Sequence, residues 1–218
     1  MTQFGISVVE SLQGGLEIGA ALVTPFLRSR RLRWGATPQE VELRHPGDDL
    51  VPNPKWVANH AISIRATQEQ VWPWIAQIGQ GRGGFYSYQE LENLAGCGIQ
   101  NTNRILHEHQ SIRVGDPVRI HADTPPLTAA IVDRPTALVL YGAPAEGDEA
   151  VRLATSWAFL LREQPNGTTR LISRTRYDHR DGLRSRLMGG PWLLEPVAFV
   201  MERKMLRVIK CLVERDAQ

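Results

Sequence analysis

Five short runs of strand character, divided only by turns, lead into one long amphipathic helix, and this order constrains the fold more than any other feature of the chain. Residues 117–122, 127–133, 137–142, 153–161 and 168–177 form the runs, and DTPP at 123–126, DRP at 133–135 and PNG at 165–167 punctuate them. Connections this short join antiparallel neighbours, because a parallel crossover needs a dozen or more residues. Leu194, Ala198, Met201, Met205, Val208 and Leu212 then step by four and three, with Glu195, Phe199, Glu202, Leu206 and Ile209 beside them in the same rhythm. Pro196 suits the first helical position, where a missing donor costs nothing. A helix with so broad an apolar face must lie on the sheet. The expected class is α+β: a curved antiparallel sheet wrapped around a long C-terminal helix.

Ahead of these runs, His60, Ile62 and Ile64 alternate with Ala61, Ser63 and Arg65 as a half-buried strand does. Thr67 and Gln70 form a capping box that opens a helix through Val71, Trp74 or Ile75, and Ile78, which Pro73 keeps short or kinked. The stretch VWPWIAQIGQGRGGFYSYQELENL at 71–94 joins that helix to Phe85, Tyr86 and Tyr88 through four glycines, expected to leave the segment between them conformationally loose. Tyrosines beside Trp72 and Trp74 suit a site that holds a largely apolar molecule by a few hydrogen bonds. Residues 89–95 read as a second short helix stopped by Gly96 and Gly98.

The compact domain is expected over 51–218, preceded by an appendage at 1–50. Val8, Leu12, Leu16, Ala20, Val23 and Leu27 share one helical stripe, and Glu10, Gln13 and Glu17 share another. Such a helix packs against the domain or a second subunit, as in a homodimer. Attachment of residues 4–33, which end in RSRRLR, to a membrane surface is the alternative, and the two carboxylates argue against a span. Residues 34–54 carry Pro38, Pro46, Gly47, Pro52 and Pro54 among polar residues and read as an extended arm or linker.

With 42% hydrophobic and 22% charged residues and a formal charge of +2, the chain is ordinary for a soluble globular protein and offers no nucleic-acid surface. Cys97 and Cys211, the only cysteines, cannot make a disulfide framework, and the start of the chain lacks a signal peptide; a cytoplasmic location is expected. GQGRGG follows a helix rather than a strand and lacks the Lys and Ser or Thr of a phosphate loop. His107, Glu108 and His109 form an HxH pair near His121 in sequence, but nothing gathers three ligands, so no metal is expected.

The sequence resembles the SRPBCC superfamily, also called START-like or Bet v 1-like and related to polyketide cyclases and dehydratases, in a bacterial branch without a settled function. Its resemblance rests on VWPWIAQIGQGRGGFYSYQELENLAG at 71–96, NTNRIL at 101–106, VGDPVRIH at 114–121, TRLISRTR at 169–176 and EPVAFVMERKML at 195–206. This likeness implies a helix-grip fold with a hydrophobic ligand cavity between sheet and long helix. It also implies cofactor-free cyclisation, dehydration or isomerisation of a polyketide-, terpenoid- or lipid-like molecule; a non-catalytic carrier or sensor is the alternative.

Polar groups embedded in apolar patterns are the candidates for chemistry. Glu202 lies between Phe199 and Leu206, where desolvation suits a carboxylate to proton transfer, although pairing with Arg203, Arg207 or a strand arginine serves equally. Arg174, with Arg170 and Arg176 on the same strand face, suits an enolate, carboxylate or phosphate oxygen, or a pairing with Glu195 or Glu202. His121 is a candidate acid or base and shares a strand face with Arg119. Candidate ligand contacts are Trp74, Tyr86, Tyr88, Arg119, Trp157, Glu195 and Phe199; Glu195, just before Pro196, also suits a helix-capping role.

Overall fold

Where β-prone runs are separated by only a few residues, each strand has little choice but to fold back on the last. The computed structural model describes residues 3–142, 153–179, 190 and 192–217. Its six strands are β1 (Trp56–Ile64), β2 (Pro117–Val118), β3 (Leu127–Asp133), β4 (Ala137–Gly142), β5 (Leu153–Glu163) and β6 (Thr169–His179). They form one curved antiparallel sheet in the order β1-β6-β5-β4-β3-β2, so the meander runs from β2 to β6 and β1 returns to pair with the last strand. The β5–β6 hairpin shows the local logic: Gly167 takes a positive φ, and Asn166 Oδ1 accepts from the Thr168 amide at 3.2 Å. The run expected over 117–122 stops at Val118, so the alternation that paired Arg119 with His121 lapses.

The helices are α1 (Gln3–Val23), α2 (Arg28–Leu32), α3 (Pro38–Glu42), α4 (Gln68–Ala76), α5 (Gln89–Leu94) and α6 (Leu194–Asp216). The capping box of α4 forms as expected, with Thr67 Oγ1 accepting from the Gln70 amide and Gln70 Oε1 from the Thr67 amide. On α6, Phe199, Glu202, Leu206, Ile209 and Val213 are buried at the three-to-four-residue interval of one face. Together α4 and α6 cover the inner face of the sheet, where Ile64, Leu138, Leu140, Phe159 and Leu171 meet Trp74, Ile75 and Leu206 in a single core.

Strand alternation sends the intervening residues to the outer face. Ala61, Val139, Ala158, Leu160 and Ile172 form a second apolar layer there, closed by Ala36 and Leu50 of the arm. The arm is therefore not a loose linker. Thr37 and Glu40 cap α3 reciprocally around Pro38, at 3.2 Å for the Glu40 amide and 2.7 Å for the Thr37 amide. Arg170 binds Glu40 at 2.7 Å, Arg174 binds Asp48 at 2.7 and 3.1 Å, and Arg176 donates to the Val51 carbonyl at 2.9 Å. The Ala61 amide donates to the Trp34 carbonyl at 3.0 Å, and Gly35 bridges to His60. Gly35 has a positive φ, and a side chain there would collide with the Ala61 carbonyl, so only glycine permits this approach.

The N-terminal helix reverses the expectation drawn from its apolar stripe. Its carboxylate edge docks: Glu10 meets Lys204 at 3.0 Å, Glu17 meets Arg203 at 2.6 Å, and Gly14 and Ala21 fit against Tyr88 and Phe199. Leu12, Leu16 and Val23 face outward. Among the described residues no helix is long and apolar enough to cross a membrane.

Candidate functional site

Register brings four polar side chains to one place on the inner face. β1 and β6 align His60 with Ser173, β5 and β6 align Phe159 with Ser173, and Trp157 lies two residues from Phe159 on the same side. From α6, Glu202 descends onto them. His60 Nδ1 stands 2.7 Å from Glu202 Oε2, while Trp157 Nε1 donates to Glu202 Oε1 at 3.2 Å and to Ser173 Oγ at 3.0 Å. The Ser173 hydroxyl also donates to Glu202 Oε1. His60 Nε2 lies 3.0 Å from the Arg31 carbonyl. A carbonyl only accepts, so Nε2 carries a proton, and one further proton is held between Nδ1 and Oε2. Whichever atom holds it, the pair is neutral overall, which is how two such groups tolerate burial.

The surroundings are aromatic. Phe199 meets His60 edge-on at 5.6 Å, and Trp157 is flanked by Phe159 at 4.7 Å and Phe85 at 6.1 Å. Ser173 and His60 are at most 1% exposed and Glu202 is 8% exposed, so the cluster is a polar island inside the core rather than a surface feature. A proton shared between two bases amid rings, with a hydroxyl and an indole N–H alongside, is equipped to move a proton to or from a small apolar guest.

Of the candidates read from the sequence, the structure unites Glu202, Trp157 and Phe199. Arg174 lies elsewhere: it occupies the outer face, bound to Asp48 and Asn59, so it neither pairs with Glu202 nor shares its site. Glu195 binds Arg28 at 2.8 and 3.0 Å across the start of α6, not a strand arginine. Trp74 and Tyr86 are core residues packed edge-to-face at 5.8 Å, the Tyr86 hydroxyl donating to the Trp74 carbonyl at 3.1 Å and accepting from Gln77 at 2.9 Å. Arg119 is exposed. His121 holds the Ala95 carbonyl at 3.0 Å beyond α5, and neither it nor Arg119 bonds to a member of the cluster. His60 and Ser173 were missed as site residues. The signal for His60 is its phase, the polar member of an otherwise apolar inward-facing set beside Ile62 and Ile64 on β1; Ser173 follows from register, directly opposite His60.

A second feature is a cleft of about 840 Å³ between α1, the glycine loop, residues 100–106 and α6. Tyr88, Gln89, Asn101, Lys204, Val208 and Leu212 line it, which places it on the opposite side of α6 from Glu202. Burial and the Glu17 carboxylate push the Tyr88 hydroxyl up to about 12, and Lys204 sits 5.3 Å from its ring. The glycine loop is not loose. Gly79 and Gly84 bridge to each other, Gln80 bonds to the Arg119 carbonyl at 2.9 Å, and Asn101 Oδ1 accepts from the amides of Phe85 and Tyr86 at 2.9 and 2.7 Å. Nearby, Glu92 of α5 buries a carboxyl whose Oε2 has no partner among the described residues, and desolvation pushes it up to about 7.

No family model and no curated protein matches this chain. Among solved structures it is similar to protein MLL2253 of Mesorhizobium loti, with 18% identity, 72% of this chain and 97% of that one covered, and a TM-score of 0.40. It is likewise similar to DR_A0006 of Deinococcus radiodurans, at 16% identity over 74% and 99% of the two chains with a TM-score of 0.38. Ms6760 of Mycobacterium smegmatis gives 13% identity over 81% and 96%, again with a TM-score of 0.38.

Proposed function

We propose that the chain is a helix-grip protein of the SRPBCC kind that receives a small, largely apolar molecule beside His60 and Glu202 and promotes its cyclisation, dehydration or isomerisation by proton transfer, without a cofactor. The supporting observation is the 2.7 Å contact between His60 Nδ1 and Glu202 Oε2, flanked by Phe199 and Trp157. Such a pair sets an acid beside a base within one site, and a guest held against the rings gains effective molarity from positioning alone. Arg174 and His121 have no part in this reading. A non-catalytic binder is the second reading, favoured by the cleft of about 840 Å³, a size in the range of small-molecule sites.

A thermal-shift screen of polyketide-, terpenoid- and fatty-acid-like compounds identifies the guest, and turnover is then followed chromatographically. Glu202→Gln is expected to bind the hit but lose turnover by roughly a hundredfold or more, as removal of a general acid or base does. Binding without turnover by the wild-type chain, weakened by Lys204→Ala or Asn101→Ala instead, would establish the binder and defeat the enzyme.

A further inference from the structure

α1 is mounted on the domain by its polar edge, and its opposite edge is exposed among the described residues. Helical positions advance by about 100° per residue, so Glu10, Gly14, Glu17 and Ala21 share one line while Leu12, Leu16 and Val23 share the line opposite. The first line makes the ion pairs to Lys204 and Arg203. The second is open: Leu16 is 77% exposed, Val23 76% and, just beyond the helix, Phe26 79%. Single exposed apolar residues need no explanation, but a continuous band of large ones marks a docking surface.

Further exposed side chains lie near the end of α1. Because Glu10 meets Lys204 and Arg28 meets Glu195, α1 runs alongside α6 in the reverse sense and ends where α6 begins. Trp192, three residues before Glu195, is 61% exposed at that end. Arg30 and Arg33 lie there too, exposed and without a carboxylate partner among the described residues. Arg31, between them, turns inward and donates to the Thr24 carbonyl at 2.8 Å.

We propose that this face docks on the surface of an anionic lipid bilayer, with Leu12, Leu16, Val23, Phe26 and Trp192 in the boundary between headgroups and acyl chains and Arg30 and Arg33 against the phosphates. Charge complementarity selects this occupant. Both carboxylates of α1, Glu10 and Glu17, point into the domain, so among the described residues the helix turns no carboxylate to this face. A two-fold pairing of the face with itself would provide no counter-charge for Arg30 and Arg33. Aromatic rings with nearby arginines are the composition of a membrane–water interface.

The test is co-sedimentation of the full chain with vesicles of phosphatidylcholine alone or mixed with phosphatidylserine, and light scattering measures the mass of the free protein. Binding is expected to the mixed vesicles only, and to weaken as salt shortens the screening length. Leu16→Glu with Phe26→Glu should abolish it, and Arg30→Glu with Arg33→Glu should lower the partition coefficient by roughly 30-fold or more. Circular dichroism and melting temperature should match the wild type, since these side chains are largely exposed. Failure to sediment with either vesicle, or equal binding to both, overturns the proposal. So does a free particle of twice the chain mass that Leu16→Glu reduces to a single chain.

Discussion

The inner and outer faces of the sheet are held by opposite chemistries, although β6 contributes to both. Outward, Arg170, Arg174 and Arg176 reach Glu40, Asp48 and the Val51 carbonyl, so the arm is fastened by charge around a small apolar layer. Inward, Leu171 joins an extensive apolar core and Ser173 enters a single neutral island with His60, Trp157 and Glu202. The outer layer relies on several partly redundant ion pairs, whereas the inner one concentrates its polarity at one carboxylate. Loss of one group should therefore be felt unequally on the two sides.

The largest effect is expected at the inner island. Glu202→Ala strands His60 Nδ1 in the core and leaves the Ser173 hydroxyl and the Trp157 indole only each other, and should lower the free energy of unfolding by about 3–5 kcal/mol in urea titrations. Outside, Arg174→Met leaves Asp48 buried but still 3.5 Å from Arg176, so about 2–4 kcal/mol is expected. A larger loss at Arg174 than at Glu202 would break the contrast.

The outer pairs also carry a pH signature. Burial alone would raise the Asp48 and Glu40 carboxyls, but hydrogen bonds from Arg174 and Arg170 overturn that and hold both below their ordinary values. Their contribution is present above about pH 4, the unfolded range, and is lost as pH falls through the lower folded values. Glu92 behaves in the reverse sense. With its folded value pushed up to about 7 by desolvation, it withdraws stability as pH rises from the unfolded range through neutrality. Glu92→Gln should flatten that decline and add about 1–3 kcal/mol at pH 8. An unchanged slope between pH 5 and 8 would show that its carboxyl titrates normally. At the bottom of the scale, Arg44→Ala removes an ion pair to Asp49 that is exposed on both sides and should change stability by less than about 0.5 kcal/mol.

Periodicity made the sheet and the long helix legible. The runs at 127–133 and 137–142 coincide with β3 and β4 at both ends, and the pattern from Leu194 onward is α6. Which face of a strand points inward was not legible, because arginines alternate with small and apolar residues on β6 and either set makes a plausible lining; this is why Arg174 was misplaced. The TPQE sequence at 37–40 does carry the signature of a helix start, hidden by the prolines and glycines around it. Amphipathicity reads residues 4–27 as one helix, of which α1 takes the part up to Val23, and it does not choose the docking side. Arg203 and Lys204 on α6 made the carboxylate edge the better fit. The role of His60 is not legible from alternation, which describes its strand but not the bond a polar member of the apolar set must make.

The contact of Gly35 with His60 reaches beyond local geometry. β1 is an edge strand, and an unpaired edge of nine residues is a template on which another polypeptide can add. By laying backbone along that border, the arm acts as a stopper against β-addition. The opposite border ends in a two-residue strand that begins with proline and recruits poorly. Severing the chain ahead of β1 would thus cost the molecule its protection from self-association before it cost the molecule its core.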